Sequence, residues 1–215
     1  MMLEGHTVDA ILGTGLRDGA SFEVWSFLRG LTSCTFLFVS GFVSSQAMLK
    51  QAAAGLNGSV ARRLRRAAFL MALGYALHYP VPTLDAADEM SVDQWRFFLQ
   101  VDVLQCLAVM LCGLQALALT GPSPSTFAVI SLAGSAALVA LTPWVWALQP
   151  SGFLPDAIAA YASPELGSQF PIFPWGAYLL LGAGVGGFWL RHQNEQPAWF
   201  TTRILRASAA FIALA

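Results

Sequence analysis

The sequence predicts an all-α protein, a multi-pass transmembrane helix bundle, and three observations predict it. Five long apolar runs fill the chain, at 22–49, 64–84, 97–119, 127–148 and 172–190. Each has about the ~20 residues that a helix needs to cross a bilayer. Hydrophobic residues make up 56% of the 215 and charged residues 11%, with a mean hydropathy of +0.61. A soluble domain carries about 25% charged residues. The charges are also sorted along the chain. Lys50, Arg62, Arg63, Arg65 and Arg66 gather between the first two runs, and Asp85, Asp88, Glu89 and Asp93 between the second and third.

Backbone polar groups in lipid must be paired within the segment, so each run reads as a spanning helix. Five complete spans are expected, with partial helices at 1–12 and 204–215. Both end pieces are apolar and too short to span. The expectation is one domain over 1–215, incomplete at both termini.

The N-terminal piece stops at Gly13-Thr14-Gly15, a pair of glycines that breaks a helix. The first span, 22–49, leads into the basic loop, which the positive-inside rule places in the cytoplasm. The second, 64–84, is closed by Pro80 and Pro82 and leads into the acidic loop outside. The third, 97–119, returns to a tight inner turn at 120–126 marked by Pro122 and Pro124. The fourth, 127–148, leads to an outer loop at 149–171. The fifth, 172–190, ends before Arg191 and Arg203 on the inside. Trp25, Trp144, Trp146, Trp175 and Tyr178 suit the membrane interfaces. Gly182, Gly184, Gly186 and Gly187 suit close helix approach. Cys34, Cys106 and Cys112 all lie in apolar runs and read as buried free thiols.

Ionisable side chains inside such helices are costly and mark functional positions. Four occur: His6, Arg29, His78 and Asp102. Counted from the expected helix ends, all four lie roughly 8–10 Å below the outer surface. His6 and Asp9 are three apart and share a helix face. A carboxylate beside an imidazole fixes its tautomer, which makes a base with its orienting group. The alternative is a polar cluster that only fixes helix packing. His78 reads more simply as a packing or interface histidine. The run Arg62-Arg63-Leu64-Arg65-Arg66 has two readings as well. One is topology and attraction to anionic head groups. The other is a cytosolic site for a phosphorylated donor such as coenzyme A, since the guanidinium fork suits phosphate.

No metal-ligand spacing, glycine-rich phosphate loop or Gly-x-Ser-x-Gly elbow is present, and no basic domain suggests nucleic acid.

Four segments occur in order: Glu4-Gly5-His6-Thr7-Val8-Asp9, Phe36-Leu37-Phe38-Val39-Ser40-Gly41-Phe42, Val101-Asp102-Val103-Leu104-Gln105-Cys106 and Phe170-Pro171-Ile172-Phe173-Pro174-Trp175-Gly176. This pattern resembles the bacterial relatives of heparan-α-glucosaminide N-acetyltransferase, within the wider transmembrane acyltransferase superfamily. The Phe-Pro-x-Phe-Pro-Trp segment is its most specific part. The resemblance covers residues 1 to about 190, and full members of the family carry further helices. It implies an inner-membrane enzyme that moves an acyl group from cytosolic acyl-coenzyme A to a sugar or glycan on the outer face. It matches His6 to the family's membrane-embedded histidine and Asp102 to an acidic position. On this reading His6 is base or nucleophile, Asp9 or Asp102 its partner, and Arg29 steadies charge on the acyl oxygen. Arg62, Arg63, Arg65 and Arg66 would meet the acetyl-CoA phosphates. The implied partners are the bilayer, the acceptor and, compatibly, a second copy of the chain. Two other readings compete: a transporter that uses the buried charges as a solute or proton path, and a non-enzymatic scaffold.

Overall fold

A computed structural model describes residues 19–55, 58–81 and 88–192, with Thr7, Val8, Ile11, Gly13, Thr202 and Arg206. The described residues are helical, without strands. Among them run α1 (Ala20–Ala53), α2 (Gly58–Leu77), α3 (Val92–Phe98), α4 (Val103–Leu119), α5 (Pro124–Ala147), α6 (Asp156–Ala162) and α7 (Ile172–His192). Short 3-10 turns at Pro150–Gly152 and Pro164–Leu166 flank α6. Of the expected end pieces, Thr7, Val8, Ile11 and Arg206 are described, each helical.

Among the described residues three helices, not five, are long and apolar enough to cross a membrane: α1, α5 and α7. The second expected span falls short for a chemical reason. Its helix begins at Gly58, carries four arginines in its first turns, and stops at Leu77, three residues before Pro80. The apolar part left over is too brief. The third is broken. Helix α3 ends at Phe98, α4 starts at Val103, and the two are bent by 55°. Counted as one bent span, this pair raises the number to four. The expected outer loop at 149–171 is instead folded into α6 and its two turns.

The five long helices nonetheless alternate in direction. Arg63 of α2 meets Gln51 of α1 and Gln115 of α4, so α2 runs against both. Ser135 of α5 donates to the Ala177 carbonyl of α7 at 2.8 Å. The basic residues 50–66 and Arg191 thereby share one end of the bundle, and α3 and α6 lie at the other.

Helix α7 is the hub, clamped between α1 and α5. Small residues allow it. A methyl group on Gly182 would overlap the Phe38 carbonyl oxygen, and one on Gly41 would overlap that of Leu179. Two backbones meet there with no side chain between them, the close approach that glycine permits in membranes. Leu37, Leu107, Leu114, Phe127 and Leu179 form the buried core around this seam.

Candidate functional site

The far end of the bundle is organised around the break between α3 and α4. Asp102 has extended backbone and N-caps α4. Its Oδ1 accepts from the Val103 amide at 2.6 Å, and Gln105 Oε1 accepts from the Asp102 amide at 3.2 Å. This is a capping box, with two of the helix's orphan donors satisfied reciprocally. Asp102 is therefore half-buried at a helix start, at the break of the bent α3–α4 pair. Gln105 is fully buried, and its amide also donates to the Gln100 carbonyl at 3.4 Å.

The break is stitched to the segment before α7. Val101 accepts from the Gln169 and Phe170 amides at 3.1 and 3.0 Å, and its own amide donates to Ser168 Oγ at 3.0 Å. The Phe170 and Trp175 rings pack 4.7 Å apart. The family-like segments at 101–106 and 170–176 thus meet in one place, although they lie far apart along the chain.

Helix α2 brings its last turns to the same end. His78 Nδ1 donates to the Gly74 carbonyl at 3.1 Å, and its ring lies 5.5 Å from that of Phe97. Gly74 leaves the space that the Gln105 side chain occupies. His78 and Asp102 each sit one turn beyond that contact, at the ends of antiparallel helices. Tyr75 and Tyr161 share a hydroxyl–hydroxyl hydrogen bond of 3.0 Å, and Tyr161 lies 3.2 Å from the Met71 sulfur. Burial first, then the hydrogen bond to Tyr75, pushes the Tyr161 hydroxyl above the usual tyrosine range.

His6 and Asp9 lie outside the described residues, and so does the side chain of Arg29, whose backbone belongs to α1. The expected four-residue layer is therefore represented by His78 and Asp102.

At the basic end the four arginines separate into different environments. Arg63 is tied into the bundle: Nε donates to Gln115 Oε1 at 2.6 Å, Nη1 donates to Gln51, and Nη2 donates to Ser59 at 3.1 Å. Arg62 lines a pocket of about 260 Å³ beside it. Arg66 lines both that pocket and a groove of about 1020 Å³ running along α1 toward Leu28. Arg65 is exposed. Among the described residues, no group of His, Cys, Asp and Glu could hold a metal ion.

Sequence reasoning missed the Tyr75–Tyr161 pair and the Gln51–Arg63–Gln115 tie. Gln105 and Gln115, ten residues apart in an otherwise apolar helix, were the available signal for both polar contacts of α4.

An all-helical integral membrane protein is the class that these helices define. A family profile described as heparan-alpha-glucosaminide N-acetyltransferase, catalytic, matches residues 1–214. The chain belongs to that family of acyltransferases. No curated protein and no solved structure matches it.

Proposed function

We propose that the chain is a membrane acetyltransferase that takes its acetyl group from cytosolic acetyl-coenzyme A and delivers it to a sugar or glycan on the opposite face, in a bacterial inner membrane. The observation that carries this reading is the family match over residues 1–214. The sorted charges support the sidedness, with residues 50–66 on the cytoplasmic side.

The chemistry follows from the acceptor and donor. A sugar amine or hydroxyl attacks the thioester carbonyl. A base removes the acceptor's proton, the carbon–sulfur bond breaks, and the coenzyme thiolate leaves and takes up a proton. His6 is the residue assigned to the base. The same imidazole serves if it is first acetylated and then passes the group on. Asp9, on the same helix face, orients it, and Arg29 steadies the negative charge that develops on the acyl oxygen. Asp102 keeps α4 started beside this end of the bundle. At the donor side, Arg62, Arg65 and Arg66 are the exposed cations that suit the coenzyme's phosphates, while Arg63 is committed to Gln115, Gln51 and Ser59. A helix-borne arginine with free fork donors is the group that phosphate recognition asks for.

The test is acetyl transfer by the full-length protein in reconstituted membranes, with labelled acetyl-coenzyme A and a glucosamine-ended acceptor. The expected result is transfer by the wild type and loss of transfer in His6→Ala. Transfer retained near the wild-type level would remove His6 from the mechanism.

A further inference from the structure

We propose that the groove that α1 forms with α2 and α4 is a phospholipid site, with an acyl chain laid along α1 and the lipid phosphate held by Arg66. The inference stands apart from the transfer chemistry. It rests on the shape, lining and depth of the groove.

The groove has a volume of about 1020 Å³ and follows α1 from Leu28 to Ser44. That is roughly 24 Å along a helix. Its walls are mainly apolar, with Leu31, Phe36, Val39 and Val43 from α1 facing Leu70, Leu107 and Leu111, and Thr32, Ser40 and Ser44 also line it. Thr35 lies among them, but its hydroxyl donates to the Leu31 carbonyl at 2.8 Å. Bonded back to its own helix, it presents no demand to a ligand. Arg66 is the charged residue in this lining, and it stands at one end. A largely apolar trough with one arginine at its end fits an amphiphile with one anionic head.

Depth selects the phospholipid. Helix α1 has 34 residues, about 51 Å, while the hydrocarbon core of a bilayer is about 30 Å thick. The helix is therefore long enough for its basic end to project beyond the hydrocarbon. Arg66, roughly 12 Å from the start of α2, lies beside that projecting part and at head-group level. The groove is open rather than enclosed, so a phospholipid of the surrounding bilayer is the amphiphile nearest to it. Lys50, Arg62 and Arg65 on the same end favour a lipid with net negative charge.

The experiment is photolabelling of the full chain in vesicles with a phospholipid bearing a diazirine on its acyl chain. Phosphatidylglycerol and phosphatidylcholine versions are compared, and adducts are mapped by peptide mass spectrometry. Labelling is expected to concentrate on α1 between Leu28 and Ser44, and to favour phosphatidylglycerol. Arg66→Gln should lower that labelling about fivefold, the loss of one cation's attraction to an anionic head group. Thr35→Trp, which fills the trough, should abolish it, while labelling of Val129 and Val139 on the exposed face of α5 stays constant in both variants. Labelling of α1 and α5 to the same extent, or indifference to both substitutions, would overturn the proposal. Displacement of the adducts by unlabelled acyl-coenzyme A would assign the groove to the donor instead, and crosslinks between copies would assign it to a second chain; either result overturns it too.

Discussion

Arg63 shows how a single side chain decides between two readings of a charge run. Five fixed N–H donors suit it to several acceptors at once. It uses them on Gln115, Gln51 and Ser59, which come from three helices. Arg63→Ala leaves the buried Gln115 amide without its partner, and an unpaired buried polar group costs about 1–3 kcal/mol. Thermal unfolding in detergent should show a clear drop for Arg63→Ala and none for Arg65→Ala, which is exposed. Equal midpoints for both variants would mean that the tie contributes nothing. Tyr161 carries a pH dependence of definite sign. Its hydroxyl is raised in the folded chain, chiefly by burial. Above about pH 10 the unfolded chain has released that proton and the folded chain retains it. The unfolded state then binds fewer protons, so stability falls as pH rises. Below that pH the contribution is fully present. Tyr161→Phe should flatten the alkaline fall in unfolding midpoint; a fall of unchanged steepness would contradict the assignment.

Helix α4 begins where the hydropathy of the sequence gives no hint of a boundary. Leu99, Val101 and Val103 keep the 97–119 run apolar across the break, so a window average reads straight through it. The boundary lay in spacing: Asp102 followed three residues later by Gln105 is a capping box. Replacement separates capping from charge. Asn caps a helix about as well as Asp, while Ala costs about 1 kcal/mol. Asp102→Asn should therefore keep both the unfolding midpoint and the transfer activity, and Asp102→Ala should lower the midpoint. A stable Asp102→Asn protein with no activity would give the carboxylate a chemical role. The α7 seam was legible from sequence, because glycines at 182, 184, 186 and 187 in an apolar helix have few other uses. The shortness of α2 was not. Its apolar run counts as 21 residues only if Arg65, Arg66 and the prolines are included.

The bundle as a whole divides its chemistry between two ends, and the charge pattern made that division readable. Lys50 and the arginines of α2 mark one end; His78, Asp102, the Tyr75–Tyr161 pair and the stitched 168–175 segment mark the other. The meeting of 101–106 with 170–176 could not be read from spacing, since it depends on how α4 and α7 pack. Their order along the chain was nonetheless enough to suggest the family, and the match over residues 1–214 places the chain in it. The groove along α1 was invisible in sequence, because empty space between helices leaves no mark on hydropathy. Vectorial transfer tests the reading of the whole molecule most directly. The full-length protein is placed in sealed vesicles of known orientation, with acetyl-coenzyme A on one side and an impermeant glucosamine-ended acceptor on the other. Acetylated acceptor should form when the donor faces residues 50–66 and the acceptor faces α3 and α6. Transfer only when donor and acceptor share a compartment would contradict it.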